Sequence, residues 1–180
     1  MRGGRTDARR VARFEELWDE LFPRVLGYAL RRTDQEEARD VVAETFTVAW
    51  RRLEDVPAGA DALPWLLATT RKQLANRRRR DETRHRHANL RTNPFAGTTA
   101  DHADDIAERS SLAAAFARLS DEDRETLALI AWDGLQPREA AVVTGCSAAT
   151  FAVRAHRARR RLAALLEDAE PALDAQGGRS

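Results

Sequence analysis

Four arginines, Arg154, Arg157, Arg160 and Arg161, share a stretch with apolar residues that recur every three or four positions: Phe151, Ala155, Ala158, Leu162 and Leu165. On a helix this spacing puts the apolar side chains on one face and the cations on the other. Guanidinium groups in such a row neutralise phosphates and can reach base edges. The residues just before supply the rest of a DNA-reading device. Pro137 suits the first position of a short helix and Glu139 its third, and Ala140, Ala141 and Val143 give that helix its apolar side. Gly145 can take positive φ at the turn, and Ser147 can cap the second helix. Two helices joined by a tight glycine turn, the second cationic, form a helix-turn-helix, which lays its second helix in the major groove. The plainer alternative is a solvated basic helix packed on a neighbour by its apolar face.

Other chemistries find little support in the residue types present. His85 and His87 sit in a polar stretch without cysteines or helical acids at ligand spacing, and His102 and His156 are isolated, so no metal site is expected. No glycine-rich phosphate loop, nucleophile elbow or paired carboxylates can be read, so neither an enzyme nor a cofactor is expected. Cys146 is the single cysteine, which excludes an intrachain disulfide and fits a reducing compartment. No long apolar run and no signal-peptide pattern appear, so a soluble, cytoplasmic protein without membrane insertion is expected.

The elements that must position the reader follow from the same periodicity. Val11 to Arg32 reads as a helix with Phe14, Leu17, Leu21, Val25 and Leu26 on one face and Pro23 as a kink or break. Asp34 and Glu37 have capping-box spacing ahead of a second helix that buries Ala38, Val41, Val42, Thr45, Phe46, Ala49 and Leu53. Its outer face carries Asp40, Glu44, Thr47 and Arg51. Val56 to Asp61 reads as a loop, and a third helix from about Pro64 buries Leu63, Leu67, Thr70 and Leu74, turns Thr69, Lys72, Asn76 and Arg80 outward and ends in Arg77 to Arg80. Helix resumes at Ser110 to Leu119. Ser120 then caps a helix whose first turn, Asp121-Glu122-Asp123, suits the positive end of the macrodipole and which buries Leu127, Ile130 and Ala131 before Gly134.

No strand-like alternation appears, so the fold class is all-α: two small helical domains joined by a polar linker, the second containing the helix-turn-helix. The expected boundaries are 8–80, a linker at 81–109, 110–167 and a tail at 168–180. Lys and Arg number 30 against 29 Asp and Glu, a net charge of +1 that hides strong segregation. Basic residues gather at Arg77 to Arg80 and Arg154 to Arg161, acidic ones at Asp34 to Glu44, Asp101 to Glu108 and Asp121 to Glu125. Two polyanion-facing patches on a chain that does not bind every anion is the expectation.

Taken together, these pieces resemble the bacterial RNA polymerase sigma factors of the small, two-domain extracytoplasmic-function (ECF) group. The likeness rests on Ala38 to Phe46 with Ala49-Trp50-Arg51, on Trp65-Leu66 and on Arg77 to Arg80 in the first half. In the second it rests on Leu119-Ser120, Gly134-Leu135, Gly145-Cys146-Ser147, Thr150, Arg154, His156 to Arg159 and Leu162. The resemblance implies an alternative sigma factor that binds core RNA polymerase, directs it to specific promoters and promotes melting. Asp40, Glu44, Thr47 and Arg51 would dock on polymerase helices. Lys72, Asn76, Arg77, Arg79 and Arg80, with the loop Glu54 to Ala62, would hold the minus-ten element as a single strand. Trp50 and Trp65 are expected to pack rather than stack on bases. Ala149, Thr150, Val153, Arg154, His156 and Arg157 would face the minus-thirty-five duplex, with Arg138, Arg160 and Arg161 on phosphate. Family members commonly carry Gln at Ala43, Asn at Lys72, Asp at Asn76, Lys or Arg at Ala152 and Ser at Val153. An anti-sigma factor is the further partner implied. A stand-alone helix-turn-helix regulator and a sigma-like competitor for polymerase are the alternatives.

Overall fold

The structure, a computed structural model, describes residues 3–84 and 103–168, with side chains from 7–80 and 111–168. Seven α-helices and one 3-10 turn make up the described residues, and no strand occurs among them. They are α1 (Gly3–Leu30), α2 (Gln35–Arg51), α3 (Ala62–Arg84), α4 (Ala103–Arg118), α5 (Asp121–Ala131), α6 (Pro137–Thr144) and α7 (Ala148–Glu167). Most of the expected linker, most of the expected tail, and His85, His87 and His102 lie outside the described residues. The chain forms two compact units, the first built on α1, α2 and α3 and the second on α4, α5 and α7, with α6 joining α5 to α7 in sequence.

Several helix ends lie beyond the apolar pattern that marked them. Helix α1 begins at Gly3, α3 runs to Arg84 and α4 begins at Ala103, each several residues past the expected limit. Past Arg80, the residues Asp81, Glu82, Thr83 and Arg84 continue α3 with no apolar repeat in the sequence to announce them. Pro23 stands inside α1 without ending it. Its ring is on the exposed side of the helix, where water can take the backbone carbonyl that proline leaves unpaired.

In the first unit α2 packs against both α1 and α3. Its buried stripe, Ala38, Val41, Val42, Thr45, Phe46 and Ala49, is the one its spacing predicts. Asp34 opens the helix by accepting from the Glu37 N–H at 2.9 Å. Phe46 lies at the centre of an aromatic group, 4.7 Å from the Trp18 ring and 6.2 and 6.1 Å from Phe14 and Phe22. Thr45 and Thr70 place their hydroxyl oxygens 3.2 Å apart between α2 and α3, and each is bonded to the carbonyl four residues back. Two small hydroxyls satisfied in this way let the helices approach without an orphaned polar group. Tyr28 is fully buried and was not marked by the α1 periodicity. Arg32 lies over its ring at 3.5 Å and donates to its carbonyl at 2.9 Å.

The second unit is held by Phe116 and Leu119 of the α4 end, Leu127 of α5 and Ala158 of α7, with Leu162 and Leu165 packed against them. Ser120 caps α5 by accepting from the Asp123 N–H at 3.1 Å. In α5 the buried apolar residues are Leu127, Ala128 and Leu129, whereas Ile130 is half-buried and Ala131 exposed. Leu127 is thus buried as expected and Ile130 and Ala131 are not, because eleven residues contain too few apolar repeats to fix the buried face.

Candidate nucleic-acid interface

The helix-turn-helix forms as the local signals require. The Gln136 N–H donates to the Glu139 carboxylate at 2.8 Å, closing the start of α6. At its end the Cys146 N–H reaches back to the Ala141 carbonyl at 3.1 Å and Gly145 to Val142 at 3.3 Å, a Schellman ending. Gly145 takes φ of 70°. A Cβ there would meet nothing within 4 Å, so backbone conformation rather than space calls for glycine. Ser147 then accepts from the Thr150 N–H at 3.1 Å, and α7 begins.

Helix α7 presents three faces. Phe151, Ala155 and Ala158 are buried in the unit. Opposite them Ala149, Ala152, Val153, His156, Arg157 and Arg160 are exposed. Ala152 was not among the expected groove residues, although its place on this face follows from helical spacing to Ala149 and His156.

The third face turns toward α5. Arg154 lies 2.9 Å from the Glu122 carboxylate, and Arg161 binds both oxygens of Asp123 at 3.0 and 2.7 Å. These two arginines were expected among the DNA contacts, and the structure gives each an intramolecular partner. Of the two pairs, only the second has a buried carboxylate, since the Asp123 side chain is 9% exposed and also accepts from the Ser120 hydroxyl at 2.8 Å. The Glu122 pair is open on both sides, with 42% and 64% of the side chains exposed, and adds little to stability. Asp121 to Asp123 thus complement the α5 macrodipole, and Glu122 and Asp123 also pair with α7. Substituting Asp123 by Ala should lower the stability of the second unit by about 2 kcal/mol, read by urea unfolding, because it removes a charged hydrogen-bond acceptor. Arg161→Ala added to it should cost little more, and full additivity would show that the two do not interact.

Arg124 was not singled out from sequence. It donates to the Ala117 and Leu119 carbonyls at 2.8 and 3.0 Å, closing the end of α4, and pairs with Asp121. Only its position within the basic and acidic pattern of α5 could have flagged it. The partner carbonyls belong to a different helix end.

On the first unit Asp40, Glu44, Thr47 and Arg51 are all exposed on one stripe of α2. The Thr47 hydroxyl bonds back to the Ala43 carbonyl at 2.8 Å, so it is a weaker contact group than its position suggests. Arg77 reaches from α3 to this stripe, 2.6 Å from Glu44 and 3.4 Å from Asp40. Its pKa is raised above the ordinary value, first by the Glu44 hydrogen bond, against a smaller opposing effect of burial. Two sets of residues expected to serve different ligands therefore meet at Arg77. Lys72 and Arg80 are exposed, as is Arg79, and Asn76 is half-buried beside them on α3. Arg78, inside the same run, is spent on the Arg32 carbonyl at 3.1 Å. Trp50 is 38% exposed and Trp65 half-buried. Trp50 packs edge-on against Phe14 at 5.2 Å and under Arg10, a packing role. Among the described residues no group of three metal-ligand side chains gathers, and no helix is long and apolar enough to cross a membrane.

Comparison with known proteins places both units. Sigma-70 region 2 matches residues 17–84, and Sigma-70 region 4 matches residues 109–162. The ECF RNA polymerase sigma factor SigL of Mycobacterium tuberculosis is 31% identical over 167 residues, spanning 89% of this chain and 93% of SigL. This chain is an ECF sigma factor of the sigma-70 family. Another ECF sigma factor of that organism, SigC, is 33% identical over 77% of this chain and 74% of its own length. The sigma factor RpoE of Bartonella quintana, solved with the anti-sigma factor NepR, shares the fold. It covers 86% of this chain and 96% of its own, with a TM-score of 0.66 at 23% identity. In sigma-factor terms, region 2 falls on α1 to α3, with the Arg77 contact inside it, and region 4 runs from α4 through most of α7.

Proposed function

We propose that this chain is an alternative sigma factor that binds core RNA polymerase, brings it to a specific set of promoters and promotes melting there. What carries the reading is the ordered pair of sigma regions over two helical units, one with an acidic α2 stripe beside a basic α3 and the other with a helix-turn-helix. The α2 stripe is the docking surface for core polymerase, since exposed carboxylates suit a reversible contact with basic helices. Lys72, Asn76, Arg79 and Arg80 of α3 hold the minus-ten element as a single strand, with phosphates neutralised by the arginines and a base edge available to Asn76. Arg77 joins them only when it leaves Asp40 and Glu44. Helix α7 enters the major groove of the minus-thirty-five element, with Arg157, Arg160 and Arg138 on phosphates. Bond-making chemistry belongs to the polymerase, and the chain acts where the polymerase does, in the cytoplasm. An anti-sigma factor is a further partner, as in the complex of RpoE with NepR.

Reconstituted transcription tests this. The chain is mixed with sigma-free bacterial core polymerase and fragmented genomic DNA from its source, and transcript starts are sequenced. Discrete starts preceded by two spaced motifs are expected. Core binding without starts would favour a sigma-like competitor, and neither would leave a stand-alone regulator.

A further inference from the structure

The first two turns of α7 are the part of a helix-turn-helix that meets base edges. In this chain those turns expose Ala148, Ala149, Ala152 and Val153, with Val153 half exposed. Each polar group among them has a partner within the molecule. The Ser147 and Thr150 hydroxyls lie 2.8 Å apart within the cap, and the Arg154 guanidinium sits 2.9 Å from Glu122. Neither an amide nor a carboxylate side chain occurs on α7 before Glu167. The first exposed polar side chains beyond these are His156 and Arg157, a further turn along the helix.

Base chemistry then limits what can be read. Guanine is selected by a bidentate Arg or Lys, adenine by Asn or Gln, and cytosine by an acceptor, while thymine offers a C5-methyl for apolar contact. A surface of alanine and valine methyl groups matches only the last of these. We infer that α7 recognises its duplex element through thymine methyl groups, with Val153 at the centre of the contact and Ala149 and Ala152 beside it. Arg157 and Arg160 then supply affinity and register through phosphates, without choosing bases. The inference rests on α7 being the duplex reader, and it names the chemical feature that reader selects. Burying one methyl group against another is worth about fourfold in affinity, so two or three such contacts discriminate by about sixteen- to sixtyfold.

The test removes the methyl from the DNA rather than the side chain from the protein. Random duplexes are selected by the full chain with and without core polymerase. Whichever duplex is enriched is then remade with deoxyuridine in place of each upstream thymine, or with 7-deazaguanine in place of each guanine. Deoxyuridine at the contacted positions should weaken binding about fourfold each, and 7-deazaguanine should leave it unchanged. Val153→Ser should remove the deoxyuridine effect at one position, and Val153→Thr, which keeps a methyl, should retain part of it. Indifference to deoxyuridine would overturn the inference. So would dependence on the guanine N7 that disappears in Arg154→Ala, since Arg154 would then leave Glu122 to read guanine. Enrichment that needs no polymerase would count against the sigma-factor reading alone, because the methyl comparison is made on the same duplex in either case.

Discussion

Exchanging Asp40 and Glu44 for arginine should lower affinity for core RNA polymerase by about a hundredfold or more, measured by equilibrium titration of labelled chain with core enzyme. On the proposed docking surface two carboxylates would become two cations facing basic helices, and like charges at an interface cost several kcal/mol, where about 2.7 kcal/mol is a hundredfold. The structure adds a condition that the stripe alone would hide. Arg77 lies 2.6 Å from Glu44 and 3.4 Å from Asp40, so the reversed variant gathers three guanidinium groups and drives Arg77 away. The neutral variant Asp40→Asn with Glu44→Gln separates the two effects, because it removes attraction without adding repulsion. It should bind core more weakly than wild type but better than the reversed chain. Arg77→Gln alone should tighten core binding a few-fold, since exposed ion pairs of this kind hold each other by only about 0.2–1 kcal/mol. Unchanged affinity in the reversed chain, with helicity intact by circular dichroism, would move the docking surface elsewhere.

The second large effect concerns Phe151, which is fully buried at the start of α7. Phe151→Ala should destabilise the second unit by about 3–5 kcal/mol, the usual cost of emptying an aromatic site in a core. A unit of this size has only about 3–9 kcal/mol in total, so much of it should be unfolded at 37 °C. Binding at the upstream element should fail, while core binding through the proposed α2 surface should persist because that stripe lies in the other unit. Phe151→Leu, which keeps most of the volume, should cost less than about 1.5 kcal/mol and restore the upstream contact. An unchanged urea midpoint for the alanine variant would show that Phe151 does not fill the core. If both contacts vanished together, the units would not be separable.

Amino-acid order by itself determined the helices, their caps and the turn between α6 and α7. Each of these is a short-range event. Ser120 and Ser147 cap the N–H three residues on, Gly145 adopts the φ that other residues avoid, and the buried stripes of α2 and α7 repeat at the helical period. The family resemblance was carried by the same local residues. Local reading fell short where the pattern ran thin, at the polar ends of α1, α3 and α4 and at Ile130 and Ala131 of α5.

Tertiary structure alone decided which charges are spent within the molecule. Nothing in the spacing of Arg77 to Arg80 distinguishes an arginine held by Asp40 and Glu44 from one bonded to the Arg32 carbonyl or one open to solvent. Arg154 and Arg161 likewise look like the other cations of α7 until α5 brings Glu122 and Asp123 beside them. Periodicity tells which side of its own helix a residue occupies, because that depends on backbone geometry within a few residues. Its partner across 32 or 38 positions depends on how the helices pack, and packing is set by the whole buried surface at once.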